Sequence, residues 1–382
     1  MRHVRFVPGM CLAFVLALLF CPSLALAVDS EPALSEATSA IVVDSAGNVL
    51  YEKNPDDEIN MASVTKVMTA VCALESGVSL DTTVTCVGCS LDENAMVAGY
   101  KAGDTSSLRD LMRAMLVYSA NDAAYEVAVA TGGTYDAFIQ KMNDKAAELG
   151  MTHTHFVNPH GLDADGHHSS VHDLAILARY AMTNYPFIAD TVRLTSVTVP
   201  VGGAETTLET SDELLYSYSG MLGIKTGAGN YVTAFMGCAR RKGTTLYTVV
   251  LGCQTKDGRF TDTAALLDWA FENYQYNSYA TAGVATSSKK LAYNLAYSCL
   301  VSPDADAYGL TWQDLGETTH EVTSIEGLAA PGQVTSLEQW KQGGRVVATS
   351  TNRASYSLVP TSSGLGVIDE IAPQVSIVSR VA

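Results

Sequence analysis

Positive charge is scarce in this 382-residue chain: 23 Lys and Arg stand against 40 Asp and Glu, a formal charge of −17. That balance excludes binding to nucleic acid, or to an anionic membrane, by charge alone. An anionic substrate group would need a specific local cation. Cysteine is also sparse. Of eight, Cys11 and Cys21 lie in an N-terminal leader, which leaves Cys72, Cys86, Cys89, Cys238, Cys253 and Cys299. So few in so long a chain exclude a disulfide scaffold. Cys72, Cys238 and Cys253 sit in apolar runs and read as buried thiols. Cys86-Val87-Gly88-Cys89 is a lone C-x-x-C without the strand–helix context of a redox motif. Charged residues make up only 16% against 47% apolar ones, so a substantial core is expected rather than disorder. The length allows a large domain and a smaller one.

Long apolar runs are missing except at the N-terminus. There Arg2 and Arg5 precede the run from Leu12 to Phe20, and Ala25-Leu26-Ala27 has the small-x-small form of a cleavage site. Residues 1–27 read as a secretory signal peptide removed after Ala27. An uncleaved anchor is the alternative, since the run is near the lower limit for a membrane span. Without Arg2 and Arg5, 21 basic residues face 40 acidic ones, a charge of −19.

What is present is organised around Met61-Ala62-Ser63-Val64-Thr65-Lys66-Val67-Met68-Thr69-Ala70-Val71-Cys72. Val64, Val67, Met68, Val71 and Cys72 recur with the spacing of a buried helix face. Ser63 stands at its start, where a hydroxyl can cap. Lys66 lies one turn further on the same face. A lysine in so apolar a helix loses proton affinity, and beside a serine it can act as base to it. The same Ser-x-x-Lys spelling at Ser287-Ser288-Lys289-Lys290 lies in a polar stretch without helical periodicity and is a decoy.

Upstream, Ser39 to Val43 and Val49 to Glu52 form a predicted hairpin across Asp44-Ser45-Ala46-Gly47-Asn48. Residues 80–105 are irregular. Ser107 opens a helix with Leu108, Leu111, Met112, Met115 and Leu116 inward. It runs into Ser119-Ala120-Asn121, which sets a hydroxyl and an amide side by side in a break between helices. The alternative is that Asn121 or Asp122 merely caps the next helix. Met142 to Leu149 reads as a helix closed by Gly150, and Asn158-Pro159-His160-Gly161-Leu162-Asp163 as a loop. Ser170-Val171-His172-Asp173 reads as a capping box for a helix from Leu174 to Met182. Six of eight histidines lie between His153 and His172, but no spacing among them matches a zinc motif. Loop hydrogen bonding is expected of them, with no metal and no cofactor.

Leu194 to Val199 is a predicted strand. Lys225-Thr226-Gly227-Ala228 then brings a cation into a glycine-rich strand, where a charge and a hydroxyl together suit a carboxylate. Tyr231 to Ala239 and Thr245 to Gly252 form an apolar hairpin. Thr261 to Tyr274 is a helix with Ala264, Leu267, Ala270 and Phe271 inward. Residues 276–382 change to short alternating strands and read as a small all-β domain. The tail from Gly366 carries Pro373 and is a poor match to a basic amphipathic helix.

Ser63-Val64-Thr65-Lys66, Ser119-Ala120-Asn121 and Lys225-Thr226-Gly227, in this order and in an exported chain, resemble the active-site triplet of penicillin-binding proteins and serine β-lactamases. Within that group the chain is most similar to the D-alanyl-D-alanine carboxypeptidases of peptidase family S11. The stretches around Ser63, Ser119 and Asn158 to Asp163 carry that likeness, as does His167-His168-Ser169-Ser170. It covers about residues 35–275. It implies an α/β (α+β) fold: an antiparallel sheet with helices on both faces, a helical insertion from about 80 to 185 and a β domain after 275. It also implies residue roles. Ser63 would attack the carbonyl between the last two D-alanines of a peptidoglycan stem peptide, and Lys66 would take its proton. Ser119 would relay a proton to the leaving D-alanine, and Asn121 would hold the substrate amide. Lys225 and Thr226 would bind the terminal carboxylate. The N–H groups of Ser63 and Ala228 would form an oxyanion hole, each donor contributing ~3 kcal/mol. β-Lactams would be covalent inhibitors. The implied location is extracytoplasmic: the cell wall or outer face of the membrane, with peripheral association, or the periplasm.

The chain departs from the family pattern in having Asn60-Met61 where prolines usually stand, and Ala228-Gly229-Asn230 where bulkier residues are frequent. A class A β-lactamase is a competing reading, but it needs a deacylating glutamate, and no Glu-x-x-Leu-Asn lies between Asn121 and Lys225. A non-catalytic penicillin-binding sensor is another, and the retention of Ser63, Lys66, Ser119 and Lys225 together argues against it. N-terminal sequencing of the secreted protein should begin at Val28. Protein retaining Met1 in the membrane fraction would instead show an anchor.

Overall fold

The hairpin β1 (Ser39–Asp44) and β2 (Val49–Lys53) opens the described chain. Every residue of β1 is buried, so its sequence shows no polar alternation. The reason lies in the computed structural model, which describes residues 31–230, 233–293, 297–312 and 317–360. β1 sits inside an antiparallel sheet covered on both faces. Ala40 and Val42 belong to one core, Ile41 and Val43 to the other. The leader, the tail beyond Pro360, and Tyr231 and Val232 of the predicted hairpin lie outside the described residues.

A 3₁₀ turn, Ala62–Thr65, leads into α1 (Lys66–Glu75). The predicted apolar face is buried, and so are Lys66, Thr69, Ala70 and Ala73, so the helix is enclosed on all sides. Ser63 is not a cap, contrary to expectation. It lies inside the turn, and neither the turn nor α1 starts with a side-chain cap. β3 (Thr83–Thr85) pairs with β4 (Thr105–Ser107), and Ser107 accepts from Asp110 N to start α2 (Leu108–Arg113). A π-helical turn, Ala114–Tyr118, follows. Then come α3 (Asn121–Gly132) and α4 (Tyr135–Glu148), the latter starting earlier than its apolar pattern because Thr134 caps it. α5 (Val171–Asn184) is capped by Ser170 as expected. The predicted box is only half formed, because Asp173 turns instead to His153 N and Thr154 Oγ1.

After α6 (Pro186–Thr191), β5 (Ser196–Val201) and β6 (Ala204–Glu209) form a small ribbon. The short α7 (Leu214–Ser217) precedes β7 (Met221–Ala228), β8 (Thr233–Arg241) and β9 (Thr244–Cys253). These complete the sheet in the order β2-β1-β9-β8-β7, with β7 at the edge. Along β8, Phe235 and Ala239 face one core while Ala234, Met236 and Cys238 face the other, the period-two alternation of a strand. α8 (Lys256–Asn273) covers the first face. It begins before the predicted Thr261, because Thr255 Oγ1 accepts from Gly258 N at 2.9 Å. Phe260, Leu266, Leu267 and Ala270 are its buried apolar residues, while Ala264 and Phe271 are only half-buried. α1 and α5 cover the other face with the helical insertion.

From β10 (Tyr274–Ala280) onward, the described residues form only β elements. β11 (Ser287–Lys290), β12 (Tyr297–Pro303), β13 (Ala307–Trp312), β14 (Thr319–Ser324), β15 (Val334–Gln342) and β16 (Arg345–Pro360) complete it. β10 pairs with β13, and the others form a sheet in the order β11-β12-β16-β15-β14. The decoy Ser287 and Lys290 lie on β11, far from helical geometry. Trp269 of α8 meets Trp312 at 5.4 Å, so aromatic packing joins this region to the first. Among the described residues no helix is long and apolar enough to cross a membrane. Cys72, Cys238 and Cys253 are buried free thiols, each pushed up to about 12 by burial. Cys86 and Cys89 are free as well.

The Asn158–Asp163 loop crosses over the Ala62–Thr65 turn. Gly161 has φ +85°, and a Cβ there would lie 2.0 Å from Ala62 O. Both the left-handed backbone and the close approach demand glycine. Gly161→Ala should therefore lower the unfolding free energy by ~2–4 kcal/mol in urea titration. A loss below ~1 kcal/mol would show that the loop can lift away without cost.

Candidate active site

Ser63 is half-exposed, and Lys66 lies fully buried directly behind it. The 3₁₀ turn advances the chain so that Lys66 Nζ reaches Ser63 Oγ at 2.9 Å. Nζ also donates to Asn121 Oδ1 at 2.7 Å and to His160 O. Burial, and then the charge of Lys225, push the Lys66 amine well below the ordinary lysine range, with Asp122 opposing them. A neutral amine has two N–H groups and one lone pair. The carbonyl oxygens of Asn121 and His160 can only accept, so they take the two N–H groups. The lone pair is left facing Ser63 Oγ, the arrangement of a base and its nucleophile.

Asn121 opens α3, yet its side chain does not cap that helix. The capping alternative therefore fails, and the amide faces Lys66 instead. Asp122 does not cap by the usual pattern either: its carboxylate accepts from Ala98, Gly99 and Tyr100 N at 2.7–2.9 Å. That ties the irregular segment to the site, and Asn121 N completes the tie through Met96 O at 2.8 Å. Ser119 stands two residues before Asn121 with a left-handed φ of 75°, buried at the end of the π-helical turn. Strained backbone of this kind persists only where its surroundings fix it.

The Asn158–Asp163 loop supplies the third partner of Lys66. Asn158 Oδ1 accepts from His160 N and Gly161 N, which folds the loop so that His160 O points at Nζ. Asp163 then joins Asn60 to Asn230. Its Oδ1 accepts from Asn60 Nδ2 at 2.7 Å and its Oδ2 from Asn230 N at 3.0 Å. Asn60 Oδ1 in turn accepts from Ala62 N at 2.7 Å. Here an asparagine side chain fixes the entry to the turn.

β7 brings Lys225, Thr226 and Gly227 to the sheet edge beside the same turn. A Cβ on Gly227 would lie 3.0 Å from Met61 O, so a side chain there would press the strand and the turn apart by a few tenths of an ångström. Lys225 is buried, and its Nζ donates to Thr226 O at 3.0 Å. Burial, then the charge of Arg259, lower it to about 7, with Asp212 opposing. Thr226 Oγ1 meets Ser211 Oγ at 2.5 Å. Ala228 is the exposed end of the strand. Arg259, buried at the start of α8, donates to Gly227 O at 2.7 Å.

Hydrogen bonds thus bring Ser63, Lys66 and Asn121 directly together, with Ser119 on the same break and Lys225 to Ala228 along the neighbouring edge strand. The sequence reading missed Arg259, Asp212 and the carbonyl of His160. Arg259 fell outside because the helix was started too late; on α8 it shares a buried face with Asp262 and Leu266, a signal the correct start would have exposed. A backbone carbonyl leaves no sequence signal at all.

His167 Nδ1 accepts from Val157 N, so Nε2 carries the hydrogen and donates to Thr65 Oγ1, which donates to Ala62 O. The ring is held neutral, lowered to about 4 by burial and the nearby histidines. Its contribution to stability is full above the ordinary 6.5 and is lost as pH falls towards 4. The stability advantage of the wild type over His167→Gln, from urea unfolding, should shrink by about 2–3 kcal/mol between pH 7 and pH 4.5. An advantage constant with pH would show that His167 is not held neutral.

The D-alanyl-D-alanine carboxypeptidase family, peptidase S11, matches residues 27–255. The carboxypeptidase DacD of Salmonella typhimurium is 33% identical over 73% of this chain and 74% of its own length. DacF of Bacillus subtilis is 28% identical over 82% of this chain and 84% of its own. Penicillin binding protein 5 of Haemophilus influenzae superposes with a TM-score of 0.71 at 23% identity, over 86% of this chain and 99% of that one, and shows the fold. A D-alanyl-D-alanine carboxypeptidase of Mycobacterium tuberculosis superposes with a TM-score of 0.59 at 33% identity, over 64% and 95%. With a match that spans most of the chain and takes in Ser63, Lys66, Ser119, Asn121 and Lys225 to Ala228, this protein belongs to the peptidase S11 family of D-alanyl-D-alanine carboxypeptidases.

Proposed function

We propose that the chain is a serine-type D-Ala-D-Ala carboxypeptidase that removes the terminal D-alanine of peptidoglycan stem peptides through a Ser63 acyl-enzyme. The observation that carries this is the pairing of Lys66 Nζ with two carbonyl acceptors and one hydroxyl. Ser63 Oγ attacks the carbonyl carbon of the penultimate D-alanine as its proton passes to the Lys66 lone pair. The oxyanion is held by the N–H groups of Ser63 and Ala228. Ser119 relays a proton to the departing D-alanine nitrogen, and the C–N bond breaks. Water, deprotonated at the same amine, then attacks the ester and releases the shortened peptide with Ser63 restored. Asn121 holds the substrate amide. Lys225 and Thr226, with Gly227 giving access, hold the terminal carboxylate. A β-lactam would enter the same steps and stop at the acyl-enzyme.

The β-lactamase alternative asks for a carboxylate to drive deacylation. The loop that reaches Lys66 offers the carbonyl of His160 in its place, and no carboxylate hydrogen-bonds Nζ among the described residues. Residues 28–275 hold every residue of this mechanism, and the leader pattern supports export to the peptidoglycan. Association with the cell wall or the membrane periphery belongs to the same reading.

Lys225 supplies a local cation in a strongly acidic protein, so a terminal carboxylate is the group it reads. Lys225→Gln keeps hydrogen-bonding capacity and removes the charge. It should cost roughly 10- to 150-fold in kcat/KM on a peptide ending in D-Ala-D-Ala, and far less on the C-terminal amide. Wild-type protein that cleaves acid and amide equally well would sink the carboxypeptidase reading.

A further inference from the structure

Three charged side chains lie buried together beneath the edge strand: Lys225 of β7, Arg259 of α8 and Asp212 of the connection between β6 and α7. Each cation is only partly satisfied, although Arg259 Nη1 donates to Gly227 O. Among the described residues, Lys225 Nζ meets only Thr226, at its carbonyl O and, more weakly, its Oγ1 at 3.5 Å. Arg259 Nε has no hydrogen-bond partner. Asp212 Oδ1 accepts from Leu214 N at 2.9 Å, while Oδ2 is buried with no partner. A buried carboxylate oxygen left unpaired is costly unless a nearby charge compensates it. The connection carrying Asp212 is also tied to the site, since Ser211 Oγ bonds Thr226 Oγ1.

We infer that Asp212 is a positioning residue for the carboxylate clamp, the buried counter-charge that keeps Lys225 cationic before substrate arrives. This rests on the reading of Lys225 as the carboxylate-binding residue. The charged groups acting on Lys225 are Arg259 from α8 and Asp212 itself, while Lys225 in turn acts on Lys66 of α1. Burial and then Arg259 disfavour its charge, and Asp212 is the anion opposing them. Glu213, Asp212 and Asp257 act on Arg259, so Asp212 acts on both cations. Burial raises Asp212 to about 6 while Lys225 is lowered to about 7, so the two carry opposite charges together between those values. A substrate carboxylate would then take over the pairing of Lys225 within the site.

The test is Asp212→Asn, which is isosteric and keeps the acceptor for Leu214 N. kcat/KM is measured against pH for an N-acetylated peptide ending in D-Ala-D-Ala and for its C-terminal amide. The alkaline limb for the acid peptide, which reports the free enzyme, should move down by about one pH unit or more. At pH 7.5 the loss should be ~10-fold and lie in KM; at pH 5.5 it should be under about threefold, and the amide should be little affected. In a Lys225→Gln background the same substitution should cost less than about twofold, because its effect runs through that charge. If wild type prefers the acid peptide yet Asp212→Asn leaves the limb in place, the inference is overturned and the carboxypeptidase reading stands. If wild type shows no preference, that reading falls and the inference with it. Should Asp212→Asn not fold, ¹³C-carboxyl titration of Asp212 in wild type and in Lys225→Gln decides. Its midpoint should rise by about one unit without the lysine charge. An unmoved midpoint would overturn the inference.

Discussion

A buried lysine amine needs hydrogen-bond partners, and most of what surrounds the site can be traced to supplying them for Lys66. Leaving a donor unpaired in the interior costs ~1–3 kcal/mol. The three partners come from three separate segments: Ser63 from the 3₁₀ turn, Asn121 from the start of α3 and His160 from the loop before α5. Each is held by a further device. Asp122 and the Met96 carbonyl fix the α3 end, Asn158 folds the His160 loop, and Asn60, Thr65 and His167 fix the turn. Rigid support of this kind is what keeps a base within reach of its nucleophile.

The composition makes this site unusual within its own chain. Acidic residues outnumber basic ones by 40 to 23, yet Lys66, Lys225 and Arg259 are all buried close to one edge of the sheet. Withdrawn from water, each binds its proton less firmly than it would at the surface. The consequences divide by role. For Lys66 a weakened hold on the proton favours the neutral, basic form. For Lys225, proposed to meet a carboxylate, it works against the cation, which is where a neighbouring anion such as Asp212 has a physical part to play.

The sheet allows this arrangement because both its faces are covered and one edge is kept for the site. α8 on one side and α1 with α5 on the other give β1, β8 and β9 two cores to fill. β7, at the edge, carries the glycine that lets it pass beside the nucleophile turn. The β region beyond Tyr274 adds its own sheet and meets the first part through the aromatic contacts of Trp269, Tyr274 and Trp312.

The sequence by itself determined the buried helix behind Ser63, the strands and their order of appearance, and the three short motifs, because local periodicity and residue chemistry are properties of neighbours along the chain. It also carried the family likeness, through the same motifs. Boundaries were less legible: α8 starts at its Thr255 cap, upstream of the apolar pattern, and Ser63 is inside a turn where a cap was expected. Only tertiary structure decided which carbonyl meets Lys66, that Asp163 joins Asn60 to Asn230, and that Asp212 and Arg259 lie with Lys225. These contacts link residues distant along the chain, and some pass through backbone atoms that every residue shares. No local pattern encodes them; they exist only once the packing of the two cores has brought the segments together.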